Sequence, residues 1–241
     1  MRGKNIVMVL LAGVVTMMFT SCIATGYIPQ HAQVPLLEQR GEVQLTAGMS
    51  TGGMLDATLS AGLTDHLATQ MHLSGQPLQN LPGSYSMAMG YYRHLGPVVA
   101  EAWLGMEQGS VCNRSYWAIE VEWYRSISGK YNLPFVQLDC GLRDLTPLHI
   151  DCGVALRGGI MKPQLTTTTW NDWDGESTRS NYGAGTPLLE PQLFVRMGWG
   201  GVKYSLQMGW CYPSTGGNGT LHYKPFSLMM GAAFMLGNKK D

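Results

Sequence analysis

The chain has 241 residues with 16 basic and 16 acidic side chains, so its formal net charge is zero. Because there is no basic excess, the composition argues against a nucleic acid as a partner. Only 13% of the residues are charged, about half the share found in an ordinary soluble domain. Low charge without a second apolar stretch long enough for a spanning helix favours a lipid-facing β-barrel.

Residues 1–21 are predicted to be a cleaved secretory signal peptide. Arg2 and Lys4 form a basic start, residues 6–19 are uncharged and mostly apolar, and a small residue directly precedes Cys22. A cysteine at this position is typical of a bacterial lipobox, in which it is acylated and becomes the mature N-terminus. We therefore predict lipidation of Cys22. The alternative is a plain signal peptide followed by an incidental cysteine.

The rest of the chain divides into three parts. Residues 22–40 are predicted to be a lipid-anchored tether, since Pro29 and Pro35 discourage helix and remove backbone donors. Residues 41–237 form a single β-barrel domain, and residues 238–241 form a short tail. The expected partner is the lipid bilayer, which would hold both the acyl chains and the barrel surface. No motif identifies a protein partner.

Eleven segments of the barrel domain alternate between apolar and polar residues with period two, which predicts strands. They are residues 41–49, 54–63, 67–73, 84–93, 98–108, 116–125, 133–142, 149–157, 188–199, 202–211 and 226–236. Residues 159–187 are predicted to be a long polar loop. Bacterial single-chain barrels have even strand numbers, so we expect an antiparallel up-and-down β-barrel of ten or twelve strands, with one segment missed or wrongly split.

The clearest hairpin spans residues 188–211 around a Gly-Gly turn. Leu193 and Val195 share one face of its first strand, whereas Glu190 and Arg196 share the other. We predict that the apolar faces point outward to lipid and the polar faces inward. The alternative is a lipid-tethered soluble lipocalin-like barrel with the apolar faces as its core. Glycines on the polar faces favour the membrane barrel, because they save space in a crowded interior. These are Gly48, Gly62, Gly90, Gly141, Gly153 and Gly209.

Several short motifs resemble a known group of proteins. They are Tyr27-Ile28-Pro29, Pro35-Leu36-Leu37-Glu38, Gly62-Leu63-Thr64-Asp65-His66-Leu67-Ala68, Pro134-Phe135-Val136-Gln137 and Leu189-Glu190-Pro191. The chain is similar to uncharacterised lipoproteins of Bacteroidetes-type bacteria with an outer-membrane-barrel-like body. The resemblance implies a lipid-anchored location in the outer membrane and carries no catalytic residues. Residues 23–26 lack the acidic run that marks surface export in such bacteria, so surface display is not predicted.

The polar faces contain charges of both signs. The predicted inward residues are Glu101, Glu107, Glu120, Glu122, Asp139, Asp151 and Glu190 with Arg143, Arg157, Arg196 and Lys203. We interpret them as a structural network, because a narrow barrel fills its interior with side chains and buried charges need partners. The alternative is a selective pore or a proton-active site.

One pair suggests catalysis. His149 and Asp151 are two residues apart on a predicted inward face, and lipid-modifying outer-membrane barrels use Ser, His and acidic residues. No nucleophile can be named beside them. We therefore favour a non-enzymatic envelope barrel with a structural or loop-mediated binding role. A lipid-modifying barrel enzyme is the alternative.

The predicted long loop carries a second candidate site at Trp170, Asp172, Trp173 and Asp174. The tryptophans are suited either to stacking on a sugar ring or to anchoring the loop at the lipid headgroups, which we favour. The acids match only part of a calcium-binding loop. We expect no cofactor and no metal site.

The cysteines allow a test of strand register. If a hairpin is centred on Thr146, Cys140 and Cys152 oppose each other on the outer face, within reach of a strained disulfide. Two apolar thiols facing lipid are the alternative. Cys112 and Cys211 are predicted to be partners of neither.

Overall fold

The computed structural model describes residues 26–51, 53–75, 83–119, 121–145, 147, 149–171, 176–199, 201–214, 221 and 223–236. The secondary structure of this part consists of β-strands. No helix within the described residues is long and apolar enough to cross a bilayer.

Twelve strands make up one antiparallel sheet in the described residues. They are β1 Val43–Ser50, β2 Met54–Gly62, β3 Leu67–Gly75, β4 Gly83–Leu95, β5 Val98–Ile119, β6 Val121–Leu142, β7 Asp151–Asn171, β8 Glu176–Tyr182, β9 Thr186–Trp199, β10 Val202–Trp210, β11 Tyr212–Pro213 and β12 Phe226–Leu236.

Ten of these strands close into a ring. Within this ring each strand from β1 to β6 pairs with the next strand along the chain. Strand β7 then pairs with β9, β9 with β10, β10 with β12, and β12 with β1. Strand β8 pairs only with the far half of β7, and β11 pairs only with the start of β9. The predicted up-and-down barrel is thus confirmed, and its strand number is ten.

The apolar faces point outward, as predicted. Leu193 and Val195 on β9 are 43% and 47% exposed, whereas Glu190 and Arg196 on the same strand are 1% exposed. The other barrel strands follow the same alternation, because successive strand side chains point to opposite faces. One exception is Leu228 on β12, which is predicted to face outward but is only 8% exposed. The lipocalin-like alternative is therefore wrong, since it requires the apolar stripes to form the core.

Aromatic side chains form two bands on the outer surface. One band, near the β9–β10 turn, consists of Tyr91, Trp199, Tyr204 and Phe234. The other, at the opposite end of these strands, consists of Tyr85, Trp210, Tyr212 and Phe226. Tyr212 pairs with Leu189, ten residues from Trp199. At a typical strand tilt this separation is ~25 Å along the barrel axis, similar to the apolar band of outer-membrane barrels.

The two ends of the barrel differ. The turn end carries the connections at residues 63–66, 96–97, 143–150 and 200–201. The hairpin end carries the connections at residues 51–53, 76–82, 120, 172–175 and 211–225. At the hairpin end β5, β6 and β7 continue about ten residues past the ring and, with β8, form an extension. The outer face of β7 changes there from Ile160, which is apolar, to Lys162 and Gln164.

The extension corrects two sequence predictions. Residues 116–125 are not a separate strand but the tip of the β5–β6 hairpin, where Ile119 pairs with Val121. A single residue between two strands preserves the alternation across the turn, so periodicity cannot reveal it. Residues 159–187 are mostly strand rather than loop. Their outward side chains, such as Lys162 and Gln164, are polar because they lie beyond the apolar belt, and residues 166–169 are four threonines, so the outward apolar alternation that predicts the other strands is absent.

Residues 26–40, which we call the lumen segment, run through the inside of the barrel. Tyr27 is 1% exposed, and Leu36 and Leu37 are fully buried. The segment enters beside Tyr223 at the hairpin end and leaves at the turn end, where the Gly41 amide donates to the Gly62 carbonyl oxygen at 2.8 Å. The sequence predicts only a tether here, and the structure places this stretch inside the barrel instead.

The predicted register of the β6–β7 hairpin is wrong by two residues. Cys140 pairs with Val154, and Cys152 pairs with Leu142, so the two cysteines are offset rather than directly opposed. The connection is longer than predicted because β7 begins at Asp151, and His149 before it has a φ of 48° that is incompatible with a strand. Cys112, Cys140, Cys152 and Cys211 are all free thiols.

Candidate functional site in the barrel lumen

Side chains of the barrel wall bind the backbone of the lumen segment. Gln192 accepts a hydrogen bond from the Ala32 amide at 2.5 Å and donates one to the Gln30 carbonyl oxygen at 2.8 Å. Gln137 donates to the carbonyl oxygen of Gln33 at 3.1 Å. A chain inside a barrel has no neighbouring strand to which its backbone can hydrogen-bond. These amide side chains therefore bind backbone groups that would otherwise be buried without hydrogen bonds.

The wall holds the second half of the lumen segment with charged groups. Arg143 donates to the carbonyl oxygen of Leu36 at 2.8 Å, and Glu101 accepts from the Leu37 amide at 3.1 Å. His94 contacts the Leu37 carbonyl oxygen at 3.1 Å. Leu36 has a φ of 53°, a left-handed conformation that is costly for a leucine. A Cβ on Gly141 would lie 2.8 Å from the Leu36 side chain, so this glycine leaves room for the turn.

The lumen near the hairpin end contains an arginine between two glutamates. Arg157 contacts Glu107 directly, and its Nε lies 3.8 Å from Glu190 Oε2. Tyr131 donates to Glu107 at 2.7 Å, and Tyr27 of the lumen segment donates to Glu190 at 2.8 Å. The three charged residues are at most 3% exposed. This arginine cluster thus connects the lumen segment to β5, β7 and β9.

The middle of the lumen contains a second group of charges. Arg196 donates to the Val34 carbonyl oxygen of the lumen segment. Glu101 and Asp139 are directly paired on β5 and β6, and Asp139 accepts from Gln137 at 2.8 Å. Because the carboxylates bind donors on the lumen segment and the wall, this group packs the lumen rather than lining an open path.

The turn end contains a third group. Lys203 donates to Asp144 at 2.8 Å and to Asp151 at 2.6 Å. Arg143 donates to Glu42 at 2.8 Å, and His149 lies 3.2 Å from Asp144. Partial burial raises the pKa of Asp144, but the hydrogen bond and the charge of Lys203 outweigh this effect and hold the pKa below its usual value.

The predicted catalytic pair does not come together. The side chain of His149 is 43% exposed at the turn end and contacts Asp144, whereas Asp151 is buried against Lys203. No hydrogen bond from a serine to either residue occurs among the described residues. The same part of the chain has no cluster of three His, Cys, Asp or Glu residues placed to hold a metal ion.

Other predicted residues lie partly outside the described structure. Glu120, Asp172, Trp173 and Asp174 are outside the described residues, as is Cys22, and the side chain of Glu122 is not described. Trp170 is 37% exposed near the tip of the extension. The remaining predicted lumen charges all point inward.

An apolar cluster covers the lumen at the hairpin end. Tyr27 packs there with residues of the extension, and its ring meets Tyr131 edge-on at 5.5 Å. Beside this cluster lies a cavity of about 550 Å³, including its space open to solvent. Its polar lining includes Ser50, Asp56, Ser74, Ser84 and Ser110. One oxygen of Asp56 has no hydrogen-bond partner among the described residues.

Sequence reasoning missed the lumen segment and the carboxylates Glu42 and Asp144. One signal was available: residues 26–40 hold apolar side chains and only two charges, unlike a solvated linker. Pro29 and Pro35 also fit burial, because a proline has no amide donor to satisfy. The contacts themselves have no sequence signal, since they come from many strands.

No family model and no curated protein matches the chain. Two solved structures of OmpT, an outer membrane protein of Vibrio cholerae, are similar at 9% identity and a TM-score of 0.21. One was folded in vitro and the other lacks loop L8. The similarity covers 81% of this chain and 96% and 98% of those chains. A TM-score this low supports no conclusion, so the fold rests on the strand pairing described above.

Proposed function

We propose that this chain is a non-enzymatic outer-membrane β-barrel lipoprotein whose lumen is closed by its own N-terminal segment. Its role is structural, or it binds a partner through the extension. The observation that carries the proposal is the occupied lumen, in which residues 27–37 are hydrogen-bonded to wall side chains along the barrel. We expect a barrel filled in this way to leave no continuous water path for a solute, because side chains and the lumen segment occupy its interior.

The outer surface supports a bilayer location. Leu104, Leu138 and Val154 lie between the two aromatic bands and are 50% to 69% exposed. A belt of this kind is costly in water and suits hydrocarbon, while Trp and Tyr are suited to the two interfaces. We expect carbonate and high salt to leave the protein in the membrane fraction. Release as a soluble protein would contradict the proposal.

A conductance measurement tests the closed lumen. In planar lipid bilayers the full chain is expected to produce no open-channel steps, with a general porin as the positive control. A variant lacking residues 27–37 is expected to conduct, provided that heat-modifiable electrophoretic migration shows it folded. Steady open-channel conductance by the full chain would refute the closed lumen, whatever the deletion variant does.

The acyl anchor is tested at Cys22. We expect the N-terminal peptide of the membrane-extracted protein to begin at Cys22 and to carry acyl chains by mass spectrometry. Cys22→Ala is expected to remain an unprocessed precursor, because the cysteine is the site of both lipidation and cleavage. Normal processing of this variant would show that the signal peptide is of the plain type.

The extension supports a binding role outside the bilayer. Trp170 lies ten residues beyond Ile160, the last outward apolar residue of β7, which is ~33 Å along the strand. This separation favours a position of Trp170 beyond the headgroups, whereas the sequence favours anchoring at the headgroups. Comparison of the full chain with Trp170→Phe in brominated lipid vesicles tests this. We expect no lipid quenching of the Trp170 fluorescence, and quenching would place the residue at the membrane.

A further inference from the structure

The path of the lumen segment decides at which end of the barrel the N-terminus lies. Tyr27 contacts Glu190 and lies beside Tyr223 at the hairpin end. Ten residues later, Leu37 contacts Glu101 and His94 near the turn end. The chain therefore crosses the barrel from the hairpin end to the turn end before the first strand begins.

The covalent chain limits where Cys22 can be. Cys22 precedes Tyr27 by five residues, and a fully extended chain of that length spans at most ~18 Å. The turn end lies ~25 Å from the hairpin end along the barrel axis, as estimated from the ten residues that separate Leu189 from Trp199. A chain of five residues from Tyr27 is therefore too short to bring Cys22 back to the turn end.

The shape of the barrel indicates which end faces outward. Outer-membrane barrels have short turns on the periplasmic side and longer hairpins or loops on the extracellular side. Here the β4–β5 and β9–β10 connections at the turn end have two residues each, whereas the extension lies at the hairpin end. The first and last ring strands also begin and end at the turn end, at Val43 and Leu236.

We infer that the acyl chains on Cys22 insert into the outer, cell-surface leaflet, and that the barrel holds the connecting segment in its lumen. This inference rests on the proposed function, because it takes Cys22 to be acylated and the barrel to span the outer membrane. The acyl chains would thus lie in the hydrocarbon of the surface leaflet, beside the aromatic band of Tyr85, Trp210, Tyr212 and Phe226. An acyl chain buries ~0.8 kcal/mol per CH₂, so its transfer from that leaflet into water is unfavourable.

The contacts of the lumen segment also account for its direction through the barrel. The anchor reaches the surface because the barrel wall encloses the lumen segment, and its contacts hold the segment in one direction. The charged groups of the three lumen clusters fix that direction, since each binds a particular stretch of residues 27–40.

Labelling of single cysteines on whole cells with a membrane-impermeant maleimide tests the inference. Native Cys112 is exposed on the extension, Thr25→Cys reports the position of the anchor, and Arg93→Cys is the control near the turn end. Each variant keeps Cys22 and one of these thiols, and the other native cysteines are replaced by alanine. We expect Cys112 and Thr25→Cys to be labelled equally before and after permeabilisation, and Arg93→Cys only afterwards.

Each other outcome has a distinct meaning. Labelling of Arg93→Cys in intact cells, with Cys112 protected, would mean that the turn end faces the cell exterior. It would refute insertion of the acyl chains into the surface leaflet. Labelling of Cys112 but not Thr25→Cys in intact cells would refute the path through the lumen. The mass of the N-terminal peptide from the same cells separates these failures from failure of the proposed function. An unacylated peptide would overturn the lipoprotein assignment, while the labelling would still report the chain path.

Discussion

Removal of Arg157 is the sharpest test of the lumen network. Its guanidinium contacts Glu107, lies 3.8 Å from Glu190, and stacks 4.0 Å above the centre of the Phe135 ring. All three charged groups are at most 3% exposed. Arg157→Met keeps an unbranched apolar side chain but leaves two buried carboxylates without their cation. Removing one side of a buried ion pair costs ~3–5 kcal/mol, and we expect a loss of this size.

The assay is urea unfolding in lipid vesicles, followed by tryptophan fluorescence and checked by heat-modifiable migration. Arg93→Met is the matched control, since Arg93 is exposed near the turn end and should change the free energy of unfolding by less than ~0.5 kcal/mol. The triple variant Arg157→Met, Glu107→Gln, Glu190→Gln should recover more than half of the loss, because no unpaired charge remains. A cost below ~1 kcal/mol for Arg157→Met, or no recovery in the triple variant, would refute the reasoning.

Three further predictions use the same unfolding measurement. Leu138→Arg, which puts a charge in the outer apolar belt, should cost ~2–4 kcal/mol, whereas Asn132→Arg, on the same face of β6 beyond the belt, should cost ~0–1 kcal/mol. Equal costs would contradict the position of the belt. Gly62→Ala should cost ~1–3 kcal/mol, because its Cβ would lie 2.6 Å from a carbonyl oxygen of the lumen segment. Gly75→Ala, with nothing within 4 Å, is the neutral control, and a neutral Gly62→Ala would show that the segment is not held there. The lowered pKa of Asp144 means that its carboxylate stabilises the fold above its unfolded pKa of ~3.9 and that this contribution is lost as the pH falls through the folded pKa. Asp144→Asn should therefore lose less stability than the parent protein when the pH is lowered from about 6 to about 3. An equal loss in the two proteins would rule out this contribution.

The sequence determined which face of each ring strand points outward and which points into the lumen. Along β9, alternation of residues such as Glu190 and Leu193 depends only on chemistry at neighbouring positions, and strand geometry converts it into inside and outside. The same alternation predicts the faces of β1 to β4, since each of these strands has an apolar outward face and a tightly packed inward face. The closed barrel follows, because an apolar outer surface and unpaired strand edges cannot coexist in a bilayer.

Pairing and register required the tertiary structure. Residues 116–125 keep their alternation through the turn between Ile119 and Val121, so one strand and a hairpin tip have the same local pattern. The Cys140 register depends on where β7 begins, which in turn depends on the left-handed conformations of Asp144 and His149. Asp and His both occur in left-handed conformations more often than most residues, but neither residue type fixes the position at which the next strand begins.

The lumen segment depended most on tertiary structure. Its residues have neither period 2 nor period 3.6, because their partners do not come from one face of one neighbouring element. Tyr27 binds β9, Leu36 binds Arg143 beyond β6, and Leu37 binds β5. Composition by itself marks such a stretch as proline-containing and sparsely charged, which is consistent with burial but identifies none of its partners. The sequence specifies the donors and acceptors of this segment, but closure of ten strands around it brings the matching groups together, and that closure is a non-local event.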